Sequence, residues 1–148
     1  MGIPALPFSR SINDVARSKP EAYPNVLNII GDHIRAWRLD NHLLQADVAT
    51  MLSVCEDTVV GWEMRGIDPT IRQMPGIMSM IKYLPIQIDA SSIGGKITYY
   101  RYINGLTPKE FGSLIPADAS TIRDWEKGKH IPPKKKQVKI KAILSKAK

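Results

Sequence analysis

The chain has a single cysteine, Cys55, in 148 residues. One cysteine excludes an internal disulfide framework and a zinc-finger ligand set, and it fits a reduced, intracellular setting. No stretch approaches the ~18 consecutive apolar residues that a membrane-spanning helix requires, so no membrane association is expected. The opening MGIPALPFSR lacks a basic segment followed by an apolar one, so no signal peptide is expected. Position 6 is Leu, where N-myristoylation wants Ser or Thr. The three histidines, His33, His42 and His130, are scattered without ligand partners, and neither a metal site nor a cofactor is expected. No Ser/His/Asp grouping, glycine-rich phosphate loop or carboxylate pair on an apolar cleft is present, so the chain does not read as an enzyme. Glu56 and Asp57 are adjacent, and adjacent residues on a helix do not face the same way. No segment alternates with period two for long enough to make a strand.

What the chain does contain is an internal repeat at a spacing of 63 residues, without a gap. Trp62-Glu63 recurs as Trp125-Glu126. The same shift places Gly31 on Gly94, Ile34 on Ile97, Arg38 on Arg101, Asn41 on Asn104, Leu43 on Leu106, Thr58 on Thr121 and Pro69 on Pro132. Conservative pairs lie between them: Trp37 with Tyr100, Asp47 with Glu110, Thr50 with Ser113, Met51 with Leu114, Leu52 with Ile115, and Val59 with Ile122. A repeat is the first feature to seek, because missing it misassigns the fold. Two copies in a chain of this length predict two small domains, each with its own core. We expect an N-terminal arm over 1–25, a first domain over 26–84, a linker over 85–91 and a second domain over 92–148.

The apolar spacing is helical throughout. Val26, Ile29/Ile30, Ile34 and Trp37 predict a first helix from about Asn25 to Leu39. Leu44, Val48 and Met51/Leu52 predict a second, Val59 and Trp62 a third, and Ile71, Met74, Ile77/Met78 and Ile81 a fourth. In the second copy a helix is expected from Gly95 to Tyr102. Thr107-Pro108-Lys109-Glu110 joins a Thr/Glu capping box to a proline at the first helical position, and starts a helix that buries Phe111 and Leu114/Ile115. Pro116-Ala117 is the turn, Asp118 caps the next helix through Trp125, and Gly128 ends it. After Pro132-Pro133, a last helix carries Val138, Ile140 and Ile143/Leu144 among lysines. The fold class expected is all-α.

The segments LLQADVATMLSVCEDTVVGWEMRG and LTPKEFGSLIPADASTIRDWEKGK resemble the phage repressor/Cro-like, or XRE, family of helix-turn-helix regulators. That family pairs an arginine of its first helix with the glutamate after the tryptophan, and Arg38–Glu63 and Arg101–Glu126 both keep its spacing of 25. The resemblance covers about residues 26–133. It implies tandem Cro-like domains of four to five short helices, double-stranded DNA as partner, and a cytoplasmic, nucleoid-associated regulator of bacterial or phage-like type. A homodimer, or a protein partner taken through the first domain, is also open. The alternative is a protein-interaction or antitoxin-like adaptor whose first helix-turn-helix no longer reads DNA.

By the same resemblance the base-reading positions are Cys55, Glu56, Asp57, Val60 and Gly61 in the first copy, and Asp118, Ala119, Ser120, Arg123 and Asp124 in the second. Thr58 and Thr121 fall at phosphate contacts, with helix capping as the competing role. Gln45 keeps the family's phosphate-binding glutamine, while its counterpart is Pro108. Pro116 stands where the family turn has glycine, and Gly61 where a long side chain is common. Arg65, Lys109, Lys127, Lys129, Lys134, Lys135 and Lys136 complete the candidate DNA-binding set. Trp62 and Trp125 belong to the cores, and Arg38, Glu63, Arg101 and Glu126 are structural. Charge separates the copies: residues 1–90 carry 8 Lys+Arg against 10 Asp+Glu, and residues 91–148 carry 13 against 4. An anionic partner meets a domain of net +9 in preference to one of net −2.

Overall fold

The computed structural model describes residues 23–146. Most of the arm expected over 1–25 therefore lies outside the described residues. The described chain is all-α, with eight helices, one 3₁₀ turn and no strand. The helices are α1 (Ile30–Asp40), α2 (Gln45–Leu52), α3 (Glu56–Met64), α4 (Met74–Ile81), α5 (Ile93–Asn104), α6 (Pro108–Leu114), α7 (Ala119–Glu126) and α8 (Lys134–Lys146). The 3₁₀ turn, Ile71–Gln73, leads directly into α4. No helix among the described residues is long and apolar enough to cross a membrane.

Two apolar clusters organise these helices, and the spacing of 63 maps one onto the other. Ile34, Val48, Val59, Trp62 and Ile77 are buried in the first. Ile97, Phe111, Ile122, Trp125 and Ile140 are buried in the second. The crossing of the first and third helices is equally repeated. A methyl group on Gly31 would land on the Trp62 carbonyl oxygen, and one on Gly94 would land on that of Trp125. Only glycine lets the two backbones approach so closely.

Helix starts follow the caps rather than the apolar period. The α1 helix begins five residues later than Asn25, because the Asp32 carboxylate accepts the amides of Asn28 and Ile29 at 3.0 and 3.1 Å and fixes the first turn there. Val26 is left exposed. The α5 helix begins earlier than Gly95, because the Ser92 hydroxyl accepts the Gly95 amide at 2.9 Å, and it runs on to Asn104. The capping box of α6 forms as expected: Thr107 Oγ1 accepts the Glu110 amide at 3.1 Å and Glu110 Oε1 accepts the Thr107 amide at 2.8 Å. Of the apolar pairs, Leu52 and Ile115 face the cores while Met51 and Leu114 are exposed, as is Val138. The segment expected as a linker is not free at its start: Pro85 is buried and Ile86 packs on the first cluster.

Candidate nucleic-acid interface

Both third helices are set in place by the same ion pair. Arg38 donates from Nε and Nη2 to the two Glu63 carboxylate oxygens, each at 2.8 Å, and from Nη1 to the Leu43 carbonyl at 2.9 Å. Arg101 makes the equivalent bonds to Glu126, at 2.6 and 3.0 Å, and to the Leu106 carbonyl at 2.9 Å. A planar guanidinium thus ties the first helix, the loop before the second, and the end of the third into one unit. In the first copy Gln45 joins this network, its Nε2 donating to Glu63 Oε1 at 3.2 Å. Gln45, expected as a phosphate contact, is half-buried and spends at least one amide hydrogen on the ion pair.

The second copy presents α7. Asp118 caps it: Oδ1 accepts the Thr121 amide at 2.8 Å and the Ser120 hydroxyl at 3.0 Å. Hydrogen bonding from the Thr121 side chain, then from its amide, then from Ser120 holds the Asp118 carboxyl below the usual range. Three expected contact residues are thus bound to one another, so capping is the role their geometry gives them. Ala119 and Asp124 are half-buried. Arg123 is exposed and makes no ion pair or hydrogen bond from its side chain among the described residues. Lys109, Lys127, Lys129, Lys134 and Lys135 are exposed. So are Lys139 and Lys141 farther along α8, which the sequence pattern did not single out as contacts.

Lys136 departs from the other lysines, and the cause lies in the turn between α6 and α7. The matching turn of the first copy passes through Ser53 in the left-handed region, at φ 57°. Pro116 occupies that place in the second copy, and its ring excludes a positive φ. The rebuilt turn brings the Ala117 carbonyl against Gly112, where a Cβ would collide, whereas the first copy carries Ala49 there. It also leaves the carbonyls of Ile115 and Pro116 pointing at α8, and Lys136 Nζ donates to both, to Ile115 O at 3.0 Å. Lys136 is a turn-closing residue, not an exposed phosphate contact. Lys136→Ala should lower the stability of the second unit by about 1–2 kcal/mol, the worth of a charged hydrogen bond to a backbone acceptor. Lys135→Ala should stay within about 0.5 kcal/mol of the parent. Denaturant titration of both variants checks this, and equal losses would return Lys136 to the solvated face.

The first copy's face is closed over by its own side chains. Arg65 reaches back to Asp57, with Nη2 at 3.1 Å from Oδ2 and 3.1 Å from the Asp57 carbonyl. Gly61 lies buried beneath: a Cβ there would sit 3.0 Å from Arg65 Nη2 and 3.2 Å from Ile67 Cδ1. Gly61, expected among the base-reading positions, is buried beneath Arg65, and Arg65, expected among the DNA contacts, stays exposed while paired with Asp57. Cys55 is the N-cap of α3, with Sγ 3.0 Å from Thr58 Oγ1. Bonding to the Thr58 side chain, then to its amide, draws the thiol pKa down. Glu56 is exposed, Val60 half-buried.

Among the described residues no group of His, Cys, Asp and Glu could hold a metal ion. Comparison of the chain with protein-family models, with curated proteins and with solved structures finds no match in any of the three.

Proposed function

We propose that the chain is a sequence-specific, double-stranded DNA-binding transcriptional regulator of the phage repressor/Cro-like type, with two tandem helix-turn-helix domains acting on nucleoid DNA in the cytoplasm. The observation that carries the reading is Arg123: an exposed guanidinium on α7 with no ion pair or side-chain hydrogen bond among the described residues, followed in the chain by the exposed Lys127, Lys129, Lys134 and Lys135. In a helix-turn-helix the second helix of the motif enters the major groove while the first crosses the backbone. Here α6 and α7 are those helices, and α8 lends charge beside them. Arginine is the side chain that most often reads guanine in that groove. The lysines contribute affinity without discrimination, since phosphates carry no sequence information.

If roughly four to six phosphates are neutralised, log K for a duplex should fall against log[salt] with a slope of about −4 to −5. Fluorescence anisotropy over a salt series measures it, and a flat response or no binding at low salt would remove the reading.

One observation favours a second reading for the first unit alone. Its face carries Glu56 and Asp57, and Arg65 is folded onto Asp57. That surface suits a protein partner or a second copy of the chain better than a phosphate backbone, in the manner of an antitoxin-like adaptor. We propose a binding role and no enzymatic one.

A further inference from the structure

The two units meet through residues that the repeat itself marks as exceptions. Arg72, in the 3₁₀ turn of the first unit, donates from Nη1 to the Gly105 carbonyl at 3.0 Å and from Nη2 to the Glu110 carboxylate of the second unit. Gly105 has φ +67°, and a Cβ there would sit 3.2 Å from Pro75 Cγ and 3.4 Å from the Ile71 carbonyl. The spacing of 63 places Gly105 on His42, which holds the same left-handed conformation at φ 57°. A side chain is therefore compatible with this helix ending. What position 105 adds to that backbone strain is the tight approach of Pro75 from the other unit, which a Cβ would have to push back by a few tenths of an ångström. Glu110 likewise does more than its counterpart. Asp47 closes a cap on the Leu44 amide. Glu110 closes the same cap on Thr107 and also takes Arg72. Tyr102, from α5, packs against the first unit's cluster, and the Arg101 guanidinium lies 5.5 Å over its ring.

We propose that this contact is a built joint that fixes the two units as one rigid body, and that it sets one allowed spacing between the two places at which the chain meets DNA. Arg72 and Gly105 are its positioning residues. The joint itself stands on the geometry above, and only the spacing rests on the DNA-binding reading, in the form in which both units meet the duplex rather than the first unit meeting a protein. Three different contacts meet there: a half-open ion pair with a carbonyl bond, a glycine closely approached by a proline, and a partly buried tyrosine packed against the other unit's cluster. The Glu110 carboxyl is held down to about 2, first by the Thr107 amide and next by Arg72, so the ion pair persists far below neutral pH. A tandem reader whose units swing freely tolerates many spacings; one whose units are locked loses the second contact at the wrong spacing.

The test is residual dipolar coupling measured on the full chain. One alignment tensor should fit both units of the wild type. Arg72→Ala, or Gly105→Val, should require two. Gly128→Ala is the control: Gly128 has φ +77° with nothing within 4 Å, so it carries backbone strain without touching the joint, and one tensor should still suffice. Two tensors for the wild type, one for both joint variants, or two for the control would each overturn the joint. The DNA arm uses duplexes in which the two contacted segments are moved apart by two base pairs. Wild type should bind these roughly a hundredfold more weakly, and Arg72→Ala within about threefold of its own best duplex. Wild type indifferent to spacing overturns the spacing rule while leaving DNA binding standing. Wild type that binds no duplex overturns the DNA reading and the spacing rule together, and the couplings still decide the joint.

Discussion

Replacing Glu63 with alanine should cost the first unit about 3–5 kcal/mol, because it strands the Arg38 guanidinium in the protein interior. Side-chain exposure is 0% for Glu63 and 10% for Arg38, so solvent cannot take over the lost partner. Both donated bonds to the carboxylate vanish, and Gln45 loses its acceptor with them. In a unit of this size that loss moves the melting temperature down by roughly 10 °C or more. Glu126→Ala should cost somewhat less, since that pair is a little more open, at 9% and 11%. The pair is a poor argument for net stability, because two charges also had to be taken from water. Removing both members, as Arg38→Met with Glu63→Leu, should therefore recover much of what Glu63→Ala loses. Calorimetry on the three variants decides it. A Glu63→Ala chain that melts with the wild type would mean that Arg38 escapes to solvent at no cost, and the ion pair would no longer be what positions α3.

The repeat made most of this architecture legible. Once Trp62 lies on Trp125, the buried positions of one unit predict those of the other, and the pairs Ile34/Ile97 and Val59/Ile122 are both fully buried. Caps formed by side chains with a fixed reach were legible too, as at Thr107, Glu110 and Asp118. Periodicity failed where two apolar residues are adjacent. A 3.6-residue repeat cannot choose between Met51 and Leu52, and only the tilt of α2 against its neighbours does. It failed again at the start of α5, where two adjacent glycines, Gly94 and Gly95, blur the boundary: the pattern starts the helix at Gly95, and the structure starts it at Ile93. Both glycines lie inside the helix, where neighbouring backbone leaves no room for a Cβ. A run of lysines looks uniform in sequence, so Lys136 was indistinguishable from Lys134 and Lys135 until the turn at Pro116 was seen. The joint left one trace that sequence reasoning passed over: glycine at 105 where the first copy has His42.

Arg123 and the lysines should separate cleanly when they are removed in turn. Replacing Lys127, Lys129, Lys134 and Lys135 together with alanine should weaken every duplex alike, on the order of a hundredfold or more, and shrink the salt slope by about 3–4. All four are exposed, so the fold should survive; Lys136 is left in place because it closes the α6–α7 turn. Arg123→Ala should cost about 1–3 kcal/mol on the preferred sequence and less on random DNA, because a bidentate base contact is lost while the phosphates keep theirs. Arg123 suits that role structurally: Ile122 before it and Trp125 two residues on are buried in the second cluster, which turns position 123 outward. Competition binding of each variant against specific and scrambled duplexes gives both numbers from one assay. If Arg123→Ala weakens the two duplexes equally, the guanidinium is a phosphate contact and α7 does not read bases through it. If the four-lysine variant keeps the wild-type slope, the net +9 of residues 91–148 faces something other than DNA.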